Sequence, residues 1–310
     1  MVLKKAVARR NPVALALVLV AGSLALAGCT SALSTPGVIN VVAAENQYGD
    51  VLAQIGGAYV HVTSVMNNPN TDPHNFEASP RIAQAIGVAQ VVVQNGDGYD
   101  AYMNQLESAS PSSSRTVVVV ARLRHATHAA NPHFWYDPAT MPALAAVLYS
   151  DLTRIAPRHR SYFHAREATF LSQWARVTAQ IALARQRDSR DSVATTEPVA
   201  DYLLTAMGLD NRTPFRFQAD VMNGVDPSPE DVVTQQNLLV HHQVRALCFN
   251  AQVSTPVTAA LGRLAVEARV PRVAVYETMP TGLHVQTWML AEIAAINDAL
   301  AHGISTGRIA

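Results

Sequence analysis

Lysine is almost missing from this chain. Lys4 and Lys5 are the only two among 310 residues. Everything after residue 5 therefore lacks a Walker A lysine, a Schiff-base lysine and a lysine general base. Cysteine is nearly as scarce, with Cys29 and Cys248 alone. Cys248 sits in the apolar run Val244–Phe249 and reads as a buried core residue. No His-Glu-x-x-His helix is present, and Gly96-Asp-Gly98 lacks the third glycine of a dinucleotide fingerprint. No internal repeat and no basic patch appears, which sets nucleic-acid partners aside.

What is present begins with an export signal. Lys4, Lys5, Arg9 and Arg10 form a basic region ahead of the apolar stretch Val13–Leu26. Leu26-Ala27-Gly28-Cys29 then resembles a bacterial lipobox. Residues 1–28 are accordingly expected to be a lipoprotein signal peptide and Cys29 the lipidated first residue of the mature chain. The expected address is the outer, extracytoplasmic face of a bacterial cell membrane. The apolar run is short for a membrane span of ~20 residues. With Cys29 acylated, Cys248 has no disulfide partner. Removing the signal takes four of 23 basic residues and none of the 23 acidic ones, so the mature chain is net −4.

Residues 29–37 read as a tether ending in Pro36-Gly37. The stretch 38–141 alternates strand and helix. Strands are expected at 38–44, 59–65, 91–94 and 116–120, with helices at 47–55, 80–87 and 100–108. Such alternation argues for a parallel sheet with right-handed crossovers. Residues 142–188 read as helical, and 158–188 contain neither glycine nor proline. This stretch shows apolar residues at helical spacing and is taken as a rigid linking helix. Alternation resumes over 189–310, with strands at 192–196, 244–249 and 272–276. Helices are expected with Pro198 in the first turn of one, and at 229–239, 256–268 and 285–301. The fold class is therefore α/β: two lobes with mainly parallel sheets flanked by helices, joined by one long helix.

Against this plan, His74, His133, Glu197 and Glu277 each lie just beyond a strand-like run. Open α/β sheets collect ligands at the carboxyl ends of their strands, which lets the four converge in the cleft between lobes. Two imidazoles and two carboxylates complete a shell for a divalent transition metal. Such a set is doubly negative and cancels the charge of M²⁺. Each carboxylate binds through one or two oxygens, so coordination spans roughly four to six, the lower end suiting Zn²⁺ and the upper Mn²⁺. Asp72, Glu77 and Asp201 compete with the two glutamates. Asp72, Glu77 and Asp137, with Asp97, are assigned to capping turns or supporting ligands from behind. His241-His242 is expected to end a helix, and Asn95–Tyr99 to form a turn.

These residues resemble a known family. Val41–Asp50, Asn68-Pro-Asn-Thr-Asp-Pro-His-Asn-Phe-Glu-Ala-Ser-Pro80, Asn95–Asp100 and Asn131-Pro-His-Phe-Trp-Tyr-Asp-Pro138 are similar to the zinc/manganese-binding lipoproteins of ABC importers. So are Thr196–Leu203, Glu277–Gly282 and Trp288-Met289. The resemblance spans essentially the whole mature chain. It implies two α/β lobes, a rigid linking helix and one metal site between the lobes. The first histidine falls on His74, in Asp-Pro-His-x-Phe-Glu, and the second on His133, in Pro-His-x-Trp. The third ligand, histidine in many zinc-binding members and glutamate in many manganese-binding ones, is Glu197. The fourth, usually aspartate, is Glu277, one methylene longer. The His-rich loop common in zinc-specific members would fall near 121–131, where only His125 and His128 occur.

The resemblance implies a monomer that binds Zn²⁺ or Mn²⁺ as cargo and hands it to a permease with a separate ATPase. It implies no catalysis. Two rival readings use the same residues differently. An exported metallohydrolase would need an open coordination position and a general base, Glu197 or Glu277. A surface adhesin would need an exposed interaction patch.

Overall fold

A computed structural model describes residues 37–68, 79–126 and 128–309. Gly37–Ala310 forms one compact unit. Its first half runs β1 (Ile39–Glu45), α1 (Asn46–Gly56), β2 (Val60–Met66), α2 (Pro80–Val88), β3 (Val91–Gln94), α3 (Tyr102–Ala109), β4 (Thr116–Val119) and α4 (Val120–Leu123). Then come α5 (Thr140–Ile155) and α6 (Arg160–Asp188). The second half runs β5 (Ser192–Thr195), α7 (Asp201–Ala206), β6 (Asp210–Asn211), α8 (Phe215–Met222), α9 (Pro229–Val240), β7 (Ala246–Asn250), α10 (Pro256–Glu267), β8 (Arg272–Val275) and α11 (Val285–His302).

Two four-stranded sheets result, ordered β2-β1-β3-β4 and β6-β5-β7-β8. Every pairing is parallel. The buried runs explain why. β1 and β3 are Val- and Ala-rich and covered on both faces, as a parallel sheet between helix layers requires. Val41 and Ala43 face the large core, while Val42 and Ala44 face a smaller one with Ile86 and Met103.

The linking helix α6 is 29 residues long, roughly 43 Å at the usual rise. Its buried side chains are Phe163, Phe170, Trp174, Val177, Ile181 and Ala184, a stripe repeating every three or four residues. That stripe packs on α1 and α5 from the first half and on α11 from the second. One continuous core therefore runs through both halves, from Val41 to Trp288. Trp174 Nε1 pins the helix by donating to Pro138 O at 2.8 Å.

Three details differ from the sequence reading. Pro198 does not open a helix: it stands in the turn before α7, where its carbonyl accepts from Asp201 N. That carbonyl is also claimed by Asn131 Nδ2 at 2.7 Å, a tertiary bond that local signals cannot reveal. β6 and α8 have no counterpart in the sequence reading. A strand of two residues offers no period to read. Among the described residues, no helix is long and apolar enough to cross a membrane.

Candidate metal centre

In each sheet the strand order reverses between two neighbours, β1 and β3 in the first and β5 and β7 in the second. The crevice beyond the carboxyl ends at such a point is where open α/β sheets bind ligands. Glu197 leaves β5 at such a point, whereas His133 follows β4 and α4 and Glu277 follows the neighbouring β8.

His133 leaves the loop after α4 and is fully buried. Its neighbour Asn131 controls it. Asn131 Nδ2 donates to Pro198 O, so Asn131 Oδ1 is turned to the histidine, where it meets Nδ1 at 2.7 Å and the backbone amide at 3.0 Å. The proton must then sit on Nδ1, because an amide oxygen only accepts. Nε2 is left with its lone pair, facing Glu277 Oε2 at 3.4 Å. Tyr99 and Trp135 wall the imidazole edge-on, with centroids 5.8 and 5.2 Å away.

Glu277 follows β8 and is 1% exposed. Asn250 Nδ2 donates to its Oε1 at 2.7 Å and Tyr99 OH to its Oε2 at 2.8 Å. Its backbone is clamped from both halves: Gln252 Oε1 accepts from its amide, and Gln47 Nε2 donates to its carbonyl. Two electron-pair donors, one on each half, are thus locked face to face with water excluded. Only a proton on Nε2 or a cation between them relieves that arrangement. Burial and the neighbouring Glu277 carboxylate push the Tyr99 phenol well above its ordinary range, which keeps it a donor.

Glu197 is buried immediately after β5, next to the Pro198 carbonyl held by Asn131. Asp201, the competing acid, has both oxygens committed to Asn211 and Gln218. Burial pushes its carboxyl pKa up, offset in part by the hydrogen bonds from Gln218 and Asn211 and by the nearby His133 ring. Asp137 turns to Arg124 and the Ala139 amide, capping a turn, and Asp97 anchors the amides of His128 and Ala129. His74, Asp72, Glu77 and Cys29 lie outside the described residues. Among the described residues, no three His, Cys, Asp or Glu side chains stand close enough to enclose a cation.

The sequence reading missed the residues that orient His133 and Glu277: Asn131, Asn250, Gln252 and Tyr99. Asn131, Asn250 and Gln252 lie within two positions of a strand end or a candidate ligand, and Tyr99 lies in the turn after β3; that placement is the only signal that could have pointed to them. Asn95–Tyr99 is a turn, as expected. Gly96 adopts φ +79°, and a Cβ there would meet the Val119 side chain at 2.5 Å, so glycine is required.

The halves are tied across the cleft by further bonds. Asn46 exchanges two with Met279, through Nδ2 to O at 2.8 Å and N to Oδ1 at 3.0 Å. Tyr202 OH donates to Asn131 O, and Asp50 takes Val285 N while meeting His284 Nδ1 at 2.7 Å.

Comparison with known proteins follows this geometry. The sequence profile described as ZnuA, the periplasmic component A of a zinc-uptake complex, matches residues 41–299. The manganese-binding lipoprotein MntA of Bacillus subtilis is 25% identical over 170 residues, covering 50% of this chain and 55% of that protein. A crystal structure of ZnuA matches with TM-score 0.70 at 18% identity, covering 85% of this chain and all of that one. The periplasmic zinc-binding protein TroA of Treponema pallidum gives TM-score 0.70 at 19% identity, over 86% of this chain and all of that one. At those identities the structural likeness speaks for the fold alone.

Proposed function

The chain belongs to the ZnuA family of periplasmic zinc-uptake components, and on that premise we propose that it captures one divalent transition-metal ion outside the cytoplasm and delivers it to an ABC permease. The observation that carries this reading is the buried pair of His133 Nε2 and Glu277 Oε2, 3.4 Å apart, with His133 Nδ1 held by Asn131 and the Glu277 oxygens by Asn250 and Tyr99. His74 and Glu197 complete the proposed ligand set. The first half, 38–141, contributes the histidines and the second, 189–310, the glutamates. The cargo is Zn²⁺ or Mn²⁺, in keeping with relatives described as zinc-binding and as manganese-binding. Capture rather than catalysis fits the donor set, because all four candidate side chains are used as ligands and neither Glu197 nor Glu277 is left to act as the general base of a hydrolase. Residues 1–28 would direct export and Cys29 would carry the lipid that holds the monomer at the membrane.

Competitive titration of the metal-free protein with Mn²⁺ and Zn²⁺, counting bound equivalents, tests this. One equivalent is expected, and it is lost in His74→Ala. No binding of either cation would end the proposal. Glu197→His replaces an oxygen donor by a nitrogen and is expected to move the preference toward Zn²⁺ by about tenfold. An unchanged ratio would remove Glu197 from the ligand set.

A further inference from the structure

One buried acid beside this centre is not used by the proposed ligand set. Glu45 is the last residue of β1 and is 2% exposed. Neither carboxylate oxygen has a hydrogen-bond partner among the described residues. Burial and the charge of Asp100 push its carboxyl pKa well up, and only the amides of Glu45 itself and Asn95 work the other way. No lysine, arginine or histidine offsets it. An acid left like this costs stability that an apolar residue would not, so the position calls for a partner that arrives from outside.

The internal likeness of the two sheets says where Glu45 stands. β2-β1-β3-β4 and β6-β5-β7-β8 coincide when β1 is laid on β5 and β3 on β7. Ala43 pairs with Val93, and Thr195 with Cys248. Two residues further along these registers, Glu45 falls opposite Asn95 and Glu197 opposite Asn250. Each strand-order reversal is therefore capped by a glutamate and an asparagine. Glu45 is the first half's counterpart of a proposed ligand.

Tyr99 connects Glu45 to the centre. It leaves the β3 end, donates to Glu277 Oε2 at 2.8 Å, and feels the charge of both Glu277 and Glu45. Glu45 thus lies close enough to Tyr99 for its charge to act there, and it stands outside the proposed ligand set. Two imidazoles and two carboxylates, each carboxylate bound through one oxygen, leave roughly two positions of an octahedral cation to water. A tetrahedral cation leaves none.

We propose that Glu45 determines metal specificity in this centre: its carboxylate accepts a hydrogen bond from a cation-bound water and so favours a six-coordinate cation such as Mn²⁺ over Zn²⁺. This rests on the ligand reading above. The role is that of a positioning residue, acting on the cation through the water it holds.

The experiment compares wild type, Glu45→Gln and Glu45→Leu in the full chain, stripped of metal and titrated with Mn²⁺ and Zn²⁺ against a chromophoric chelator. Glu45→Gln is expected to weaken Mn²⁺ binding by about tenfold and to leave Zn²⁺ nearly unchanged. Glu45→Leu, which removes the acceptor altogether, is expected to weaken Mn²⁺ further while raising the metal-free urea midpoint. Deuterium ENDOR of bound Mn²⁺ in D₂O should lose an exchangeable water signal in both variants, a change that a purely structural acid would not cause. A Mn²⁺/Zn²⁺ ratio and water signal equal to wild type in folded Glu45→Gln or Glu45→Leu overturns the role of Glu45 while leaving metal capture intact. A wild type that binds neither cation overturns the capture reading, and this inference with it.

Discussion

His133→Ala is expected to weaken binding of the captured cation by roughly a thousandfold, about 4 kcal/mol. The substitution removes a nitrogen donor whose lone pair is already aimed and desolvated, and leaves Glu277 Oε2 facing a void. Nothing nearby can substitute. Asp201 has both oxygens engaged by Asn211 and Gln218, and Asp137 is turned to Arg124. Asn131→Ala provides the scale for orientation alone. It leaves the imidazole in place but frees its tautomer, and should cost about 10–100-fold. Chelator competition measures both, with circular dichroism checking the fold. If His133→Ala binds within tenfold of wild type, His133 is no ligand, and the pair it forms with Glu277 is only a buried contact.

The second large effect concerns stability rather than binding. Glu292 on α11 is fully buried, and burial pushes its carboxyl up to about 8, against donation from Trp288 Nε1 and Tyr136 OH. Its Oε2 has no partner among the described residues. Tyr136 OH also meets the carbonyl of Tyr276, one residue before Glu277, so this acid lies in the joint between the halves. The folded protein holds a proton here that the unfolded chain releases near the ordinary glutamate value. Stability from Glu292 is therefore complete below about pH 4.5 and is lost progressively as pH rises to about 8. The span corresponds to a loss on the order of 5 kcal/mol. Glu292→Gln keeps the shape without the charge. The difference in urea unfolding free energy between variant and wild type, both metal-free, should move in the variant's favour from pH 5 to pH 9. Parallel pH profiles would show that Glu292 is not the titrating group.

Much of the architecture could be read in the chain because its signals are local. The Val-rich run 91–94 is a strand covered on both faces, which needs an unbroken apolar run, and 116–119 is the edge strand beside it, with Val118 buried and Val117 exposed. The gap in glycine and proline over 158–188 becomes α6 for an equally local reason. Pro229 and Pro256 do stand at helix starts, whereas Pro198 does not, because its carbonyl is recruited by Asn131 from the other half. β6 escaped notice because its two residues exist as a strand only through pairing with β5.

The amino-acid sequence by itself determined the α/β alternation, the near absence of lysine and the acids and histidines placed beyond strand ends. These depend on residue type and spacing along the chain, and periodicity carries them. Only the tertiary structure decided which atoms meet. It sets Asn131 Oδ1 against His133 Nδ1, so that Nε2 is the free donor. It brings Glu277 to that nitrogen across 144 positions of sequence, and it leaves Glu45 desolvated at the end of β1. Hydrogen-bond direction and desolvation depend on partners far away in the chain, and no local pattern encodes them.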